Sequence, residues 1–260
     1  MNIIKCACIG LLCFFVLLPG CQQGNCSVME SVPEEISCPG GSGSHGGHLQ
    51  GIATDGKTAI FWSHTKRLVK TDLYGNLLKA IDVRGHHGDL DYYDQKIYVA
   101  VNFGKFNAEP GQADSWVYVY SPNDLSLISK HAVPEVVHGA GGMAIHNGRF
   151  IVVGGLPGNR EENYVYEYDP NFNFVKRHII KSGQTKLGIQ TAAWFDGYWW
   201  FGCYGLPNNP GLLKTDDSFN LVATYDLDFS IGIIGIKDDK FLRGESIDNK
   251  AIITYVRPQQ

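Results

Sequence analysis

The fold of this chain can be deduced from "MAIHNGRFIVVGG", residues 143–155. Here an apolar run is followed by the dipeptide Asn147-Gly148 and then by a second apolar run. Asn-Gly between apolar runs predicts a β-hairpin, because a type I′ turn needs a positive φ at both of its central residues. This stretch therefore predicts two antiparallel strands joined by a tight turn.

The same hairpin pattern recurs along the chain. It is found in "GIATDGKTAIFWSH" (51–64), "LDYYDQKIYVAVNF" (90–103), "AAWFDGYWWFGCYG" (192–205) and "IGIKDDKFLRGES" (234–246). All the hairpins except the last are followed by a second strand–turn–strand segment, such as "RLVKTDLYGNLLKAIDV" (67–83). One repeat is thus four strands long and recurs every ~40–50 residues, which is the spacing of propeller blades. Five repeats predict a five-bladed β-propeller.

The last repeat is one strand short, because "KAIITYVRPQQ" (250–260) supplies only a third strand. The missing outer strand is predicted near Ser27 to Ser37, where the sequence matches the passage from one blade to the next at 126–148. Pairing of the two ends would close the ring and leave only short, protected edges. We therefore predict an all-β domain over residues 27–258, a single five-bladed propeller whose last blade is closed by the N-terminal strand. In this architecture the chain resembles secreted bacterial β-propellers.

Composition agrees with this fold class. The chain is 44% hydrophobic, 12% aromatic and 18% charged, and it contains 31 glycines. Few charges with many aromatics and glycines are typical of a turn-rich all-β protein. The aromatic pair Trp199-Trp200 is predicted to lie in the core. The formal charge of -4 provides no basic surface field, so nucleic acid is not an expected partner, and we expect a monomer.

The N-terminus is predicted to be a targeting segment. Its apolar run "CACIGLLCFFVLLPGC" (6–21) is too short for a comfortable transmembrane span. The tetrapeptide "LPGC" (18–21) resembles the lipobox of bacterial lipoproteins. The resemblance implies a signal peptide over residues 1–20, lipidation of Cys21 and a tether over residues 21–26. We therefore expect an exported protein that is anchored to the membrane of the cell envelope by lipid. Pro19 is atypical two places before the cysteine, which leaves ordinary secretion or an uncleaved anchor as alternatives.

Three cysteines remain after the lipidated one: Cys26, Cys38 and Cys203. In an oxidising compartment one disulfide is expected, either Cys26–Cys38 or Cys38–Cys203, with the third thiol free. No CxxC pair exists, so a zinc site built from thiolates is not expected.

Polar side chains recur where the innermost strands begin. Alignment on the hairpin turns places His48 and His87 at one position, His138 two places earlier in its repeat, and Gln190 one place later. Asp89 follows His87 and could ligate a metal or orient a histidine. The sequence therefore predicts a site for a divalent metal ion (Zn, Mn or Ca) at one mouth of the propeller. The cluster is similar to the three-histidine-plus-glutamine metal site of polysaccharide lyases with larger propellers.

Two alternatives to a metal site stay open. The same residues could form a metal-free ligand mouth, or they could bond to neighbouring strands and ordered water without binding anything. The remaining histidines are predicted to lie at the surface: His64, His131, His146 and His178.

Loops at the same mouth are expected to contribute ligand-binding side chains, since binding residues concentrate on loops held by a rigid scaffold. These candidates are Trp62, Lys105, Arg160, Glu161, Lys186, Arg243 and Glu245. Aromatic and forked cationic groups suit a glycan or a small carboxylated ligand. The predicted function is a metal-dependent carbohydrate-active enzyme, a lyase or hydrolase, with His86 or His138 as base and Tyr204 as acid. The alternatives are a non-catalytic glycan or small-ligand binding module and an envelope scaffold that holds another protein.

Overall fold

The computed structural model describes residues 33–39, 47–205, 209–237 and 240–258. These residues form twenty β-strands and no helix. Accordingly, the described ranges contain no helix suited to crossing a membrane. The predicted signal peptide, tether and lipidation site at Cys21 lie outside the described residues.

The strands form five four-stranded antiparallel sheets, which are the five blades of a β-propeller. Blade one contains β2 (Leu49–Thr54), β3 (Ile60–His64), β4 (Arg67–Thr71) and β5 (Leu77–Asp82). Blade two contains β6 (His86–Tyr93), β7 (Lys96–Asn102), β8 (Ser115–Tyr120) and β9 (Leu127–Ala132). Blade three contains β10 (Ala140–His146), β11 (Arg149–Gly154), β12 (Asn163–Tyr168) and β13 (Phe174–Ile180). Blade four contains β14 (Thr191–Phe195), β15 (Tyr198–Gly202), β16 (Leu212–Thr215) and β17 (Leu221–Tyr225). Blade five contains β18 (Ile233–Lys237), β19 (Lys240–Ile247), β20 (Lys250–Val256) and, outermost, β1 (Glu35–Ser37).

The N-terminal strand closes the ring, as the sequence predicts. In β1, Glu35 pairs with Thr254 and Ile36 with Ile253, both in β20. The Ile36 side chain is 1% exposed and packs in the cluster between blades five and one. The predicted single five-bladed propeller is therefore confirmed.

Type I′ turns join the first two strands of blades three and four. Both central residues have positive φ at Asn147-Gly148 (49° and 74°) and at Asp196-Gly197 (51° and 79°). Blade two reaches the same turn without glycine, since Asp94 and Gln95 have φ of 45° and 58°. These three hairpins form as the sequence predicts.

Blade one differs at its predicted two-residue turn. Strand β2 ends at Thr54 and β3 begins at Ile60, so the connection is a longer loop. The Asp55 Oδ1 accepts backbone N–H groups from Lys57, Thr58 and Ala59 at 2.9, 2.8 and 2.9 Å. A carboxylate that binds three successive N–H groups stabilises this wider loop in place of a type I′ turn.

The hydrophobic core lies between adjacent blades. Trp199 packs in the cluster between blades three and four, whereas Trp200 packs in the one between blades four and five. Their opposite directions follow from the two-residue period of a strand. Both rings are buried, so the prediction that they belong to the core is confirmed.

Glycines allow the innermost strands to approach one another at the axis. A Cβ on Gly51 would collide with Asp89 of the next blade, and one on Gly142 would collide with the Gln190 carbonyl of the blade after it. Asp91 joins the innermost strands of blades two and three, because its Oδ2 accepts the Ile145 N–H at 2.7 Å. Burial raises the pKa of Asp91 to about 7. The axis is therefore packed with backbone and two inward carboxyl groups.

Two predictions about buried residues are wrong. Cys38 and Cys203 are both free, buried thiols that belong to different inter-blade clusters, so the alternative Cys38–Cys203 disulfide does not form. Cys26 lies outside the described residues. His64, predicted at the surface, is 1% exposed because β3 is an interior strand of its blade. Its Nε2 lies 3.7 Å from the Cys38 Sγ, and burial lowers the His64 pKa to about 4.

Candidate functional site: the mouth of the propeller

The mouth is the end of the axis at which the innermost strands begin. The loops that join the second and third strands of each blade lie at the same end. One of them, residues 103–114 between β7 and β8, is bonded to blade three. The Asn107 N–H donates to the His138 carbonyl at 3.0 Å, and the Asn107 Oδ1 accepts the Leu156 N–H at 2.9 Å. These bonds fix the loop of blade two beside the mouth.

Five side chains from blades one and two meet at the mouth. The Gln50 Nε2 donates to the His48 Nε2 and also to the Thr65 Oγ1, the latter at 3.3 Å. The His86 ring centroid lies 6.4 Å from that of His48. It lies 4.8 Å from the Phe106 centroid in an edge-to-face arrangement. We call these five residues the mouth cluster.

Both histidines of the mouth cluster are neutral at pH 7. Burial lowers the pKa of His86 to about 4, with a smaller contribution from the neighbouring His48. Desolvation also lowers the pKa of His48. A neutral imidazole offers one hydrogen-bond donor and one acceptor. The cluster therefore presents paired neutral donors and acceptors beside an aromatic ring.

His87 faces away from the mouth, although it is adjacent to His86. Its Nε2 lies 2.8 Å from the Tyr120 hydroxyl, and its ring meets the Tyr118 ring edge to face at 5.7 Å between centroids. Successive side chains of a strand point to opposite faces, which separates the two histidines. Burial lowers the pKa of His87 to about 3, so the ring is a neutral member of the interface between blades one and two.

Asp89 lies at the axis and links three blades. Its Oδ2 accepts the Ala192 N–H of blade four at 3.0 Å, and Gly51 of blade one packs directly against it. The side chain is 1% exposed, and burial raises its pKa well above the ordinary value. This carboxyl group therefore ties the innermost strand of blade two to that of blade four.

His138 and Gln190 each bind a backbone carbonyl. The His138 Nδ1 donates to the Ala108 carbonyl at 2.8 Å, and the Gln190 Nε2 donates to the Leu187 carbonyl at 2.6 Å. The predicted metal ligands therefore make separate contacts: His87, Asp89, His138 and Gln190 each bind a different partner. His48 lies beside His86, which was not in the predicted ligand set. No group of three or more His, Cys, Asp or Glu side chains is placed to hold a metal ion in the described ranges. The structure does not assemble the predicted five-residue ligand set.

The predicted ligand-binding residues of blades four and five interact with one another. The Lys186 Nζ lies 5.9 Å from the centroid of the Tyr204 ring. Burial raises the pKa of the Tyr204 hydroxyl, so the group stays protonated near pH 7. Arg243 forms an ion pair with Glu245, whose Oε2 also accepts the Thr254 hydroxyl at 2.6 Å. These two charges neutralise each other on β19.

The other predicted ligand-binding residues lie apart from the mouth cluster. The Lys105 Nζ donates to Gln112 at 3.1 Å within its own loop, while Glu161 is exposed and Arg160 half-buried in the loop of blade three. Trp62 is fully buried between blades five and one, where its indole N–H donates to the Thr71 hydroxyl at 3.0 Å. Trp62 is therefore a core residue, because β3 is covered on both faces.

Sequence reasoning missed Gln50, Thr65 and Phe106. Gln50 follows His48 by two places, so the period of a strand would have placed both side chains on one face. Phe106 lies in a long loop, and no local pattern in the sequence shows which strand that loop contacts. Its position depends on bonds between blades two and three that only the structure shows.

Neither a protein-family profile nor a curated protein matches the sequence. Among solved structures, the chain is similar to the glutaminyl cyclase of Myxococcus xanthus, with a TM-score of 0.60, 10% identity and coverage of 86% of this chain and 96% of that chain. A protein of unknown function from Bacteroides caccae matches with a TM-score of 0.51, 14% identity and coverage of 81% and 82%. The WD40 β-propeller domain of Doa1 matches with a TM-score of 0.47, 12% identity and coverage of 84% and 81%. At these identities the likenesses concern the fold alone.

Proposed function

We propose that the mouth cluster binds a neutral, hydroxyl-rich ligand of the carbohydrate class. The observation that carries this proposal is the arrangement of His48, Gln50 and His86 beside Phe106. Two blades contribute to it, so the geometry is held by the scaffold of the propeller rather than by one flexible loop.

The hydrogen-bonding character of the cluster matches sugar hydroxyls. A hydroxyl group both donates and accepts, as do a neutral imidazole and a carboxamide. The lowered pKa values of His48 and His86 keep both rings in this two-sided form at pH 7. A cationic cluster would instead select a carboxylate or phosphate.

The aromatic side of the cluster matches the apolar face of a sugar ring. Phe106 is half-buried and contacts His86, so its ring has a fixed orientation at the mouth. Small-ligand sites combine such aromatic surface with a few polar groups that fix orientation. Lys105 precedes Phe106 on the same loop, and its Nζ donates to Gln112 at 3.1 Å.

A second candidate function is turnover of the bound glycan by a metal ion held at His48 and His86. The supporting observation is that two blades bring neutral imidazoles within 6.4 Å of each other, centroid to centroid. Neutral imidazole is the form that binds metal, and a bound ion would polarise a carboxylate or activate water. Metal analysis of protein purified without chelator separates the candidates: one equivalent of metal that is lost in His86→Ala favours turnover, and metal-free protein favours binding alone.

The binding proposal predicts a loss of affinity in His86→Ala. The test is calorimetric titration with a panel of purified oligosaccharides containing neutral, N-acetylated and uronic acid units. The variant is expected to bind about tenfold more weakly, because it loses one hydrogen-bonding ring and its contact with Phe106. Affinity should decline as pH falls through about 4, where His86 gains a proton.

His146→Ala is the matched control for this titration. His146 ends β10 at the opposite end of the propeller, where its ring stacks on Trp194 at 4.0 Å between centroids. Its removal should leave the affinity unchanged. A panel without any binder, or equal losses in both variants, would contradict the proposal.

We also propose that the protein is an exported lipoprotein attached at Cys21, because "LPGC" (18–21) follows an apolar run. The predicted result is a native N-terminus that carries lipid on this cysteine, and mass spectrometry of the mature protein measures it. Cys21→Ser should remove the lipid and release the protein from the membrane fraction, since acylation supplies the anchor. A mature protein that starts at another residue without lipid would refute the assignment.

A further inference from the structure

A groove of about 730 Å³ lies between blades one and two, outside the mouth cluster. It is lined by the outer strand of blade one and the outer half of blade two: Lys79, Ile81, Asp82, Val83, Arg84, Phe103, Tyr118, Tyr120, Asp124, Leu125, Ser126, Leu127 and Lys130. Its volume is within the range of small-ligand sites, ~300–1,000 Å³.

The turn before the outer strand explains part of this groove. In blades two, three and four, Leu125, Phe172 and Phe219 each lie two residues before that strand, with φ of 61°, 61° and 64°. The left-handed backbone conformation directs each side chain into the interface with the preceding blade. Blade two carries leucine instead of phenylalanine at this position, so no phenyl ring enters its interface with blade one from this turn.

The facing residue of the preceding blade differs in the same way. Phe172 stacks on His131 at 4.3 Å and Phe219 meets His178 at 4.4 Å, centroid to centroid. Both histidines lie four residues after the start of their outer strand, and the equivalent residue of blade one is Ile81. Two aliphatic side chains, Ile81 and Leu125, therefore replace an imidazole–phenyl stack, and the space that they leave is open.

The walls of the groove are apolar and firmly held. The Tyr120 hydroxyl is fixed by His87 at 2.8 Å, and Tyr120 is 4% exposed. Tyr118 lies beside it, with ring centroids 6.4 Å apart. Phe103 and Leu127 are 42% and 44% exposed at the edges of the groove. These side chains offer a hydrophobic surface that a ligand could cover.

The rim of the groove carries an excess of positive charge. Lys79, Arg84 and Lys130 all line it, and no salt bridge joins any of them to a carboxylate within the described ranges. The Lys130 Nζ lies over the Tyr118 ring, 4.9 Å from its centroid. Two carboxylates also line the groove: the Asp82 Oδ1 lies 3.7 Å from the Arg67 Nε, and the Asp124 Oδ1 accepts the N–H and the hydroxyl of Ser126 at 3.1 and 2.8 Å. The lining therefore carries three cations against two anions, and the Arg67 guanidinium offsets the charge of Asp82.

We propose that this groove binds a small amphipathic carboxylate. The apolar part lies on Phe103 and Leu127, beside Tyr118, and the carboxylate lies against the cations of the rim. Apolar walls alone would accept any oily ligand, whereas the three cations select an anionic head group. The site is independent of the mouth cluster, because His87 and the strand that carries it separate the two.

The groove can be filled with the residues that close the equivalent interfaces. In the double variant Ile81→His with Leu125→Phe, the blade one–two interface receives the pair found at His131–Phe172 and His178–Phe219. Because the same fold already accommodates this pair twice, the variant is expected to retain its melting temperature.

Binding is measured with the fluorescent anion 8-anilino-1-naphthalenesulfonate, displaced by dodecanoate. The double variant should weaken dodecanoate binding at least tenfold, whereas His86→Ala at the mouth should leave it unchanged. Dodecanol, which lacks the charge, should displace the probe several-fold less well than dodecanoate. Unchanged displacement in the double variant would overturn the proposal.

Arg84→Gln provides a second test that does not depend on repacking. Arg84 is exposed, so its substitution should not affect folding. The variant should bind dodecanoate about threefold more weakly, as expected for the loss of one exposed charge interaction, and dodecanol equally well. Equal effects on the two ligands would show that the rim charges do not select the head group, and would overturn the assignment to a carboxylate.

Discussion

A chain that starts at residue 39 is expected to melt about 10 °C or more below a chain that starts at residue 33, because only the longer one retains β1. The shorter chain loses three strand pairs with β20 and the Cys38 N–H bond to the Ala251 carbonyl at 2.8 Å. It also loses Ile36, which is 1% exposed between blades five and one. The edge of β20 would then be open to solvent and to other chains. Thermal unfolding monitored by circular dichroism measures the difference.

Single substitutions separate the contribution of the β1 contacts from general effects of shortening the chain. Ile36→Ala should reduce the free energy of unfolding by about 3 kcal/mol, since it leaves a cavity in a closed interface. Ile128→Ala is the matched control, because Ile128 lies on the outer strand of blade two and is 52% exposed. Its expected cost is below about 0.5 kcal/mol. Similar melting of the two truncated chains would mean that the ring does not depend on this strand for closure.

The blade architecture could be predicted because it is written into local sequence. Turn residues such as Asn147-Gly148 favour one local backbone conformation, and a strand–turn–strand pattern recurs in the sequence of all five repeats. Closure by β1 could be predicted because a blade with three strands leaves an unpaired edge. The loop at Asp55 could not, because its carboxylate stabilises a wider turn that competes with the tight one.

The candidate site was harder to predict, because it depends on contacts between blades. Alignment located the mouth and its histidines, yet a register difference of one residue sends a side chain to the other face of a strand. His86 rather than His87 therefore faces His48. The prediction placed Trp62 among the ligand-binding residues of the mouth. It is buried instead, because an aromatic residue on an interior strand is covered by both neighbouring blades.

Asp89→Ala is expected to destabilise the protein by about 2–5 kcal/mol. The substitution removes the acceptor for the Ala192 N–H at 3.0 Å and the side chain that packs against Gly51 of blade one. The Ala192 N–H is then left without this acceptor, which costs about 1–3 kcal/mol, and the loss of a fully buried side chain adds the cost of a cavity. Blades one, two and four meet at this carboxyl, so the loss should loosen the axis as a whole. Urea unfolding of both proteins at pH 7 measures the change.

Asp89→Asn distinguishes the acceptor oxygen from the charge. Burial raises the Asp89 pKa well above its ordinary value, so the folded protein favours the protonated acid, which an amide resembles in shape and charge. Asparagine keeps one acceptor oxygen, and its expected cost is about 1 kcal/mol. The unfolded chain releases this proton at a lower pH than the folded one, so the stability of the wild-type protein relative to Asp89→Asn should fall as pH rises above about 4. Equal losses in the alanine and asparagine variants, without this dependence on pH, would show that Asp89 acts as a carboxylate rather than as a neutral acceptor at the axis.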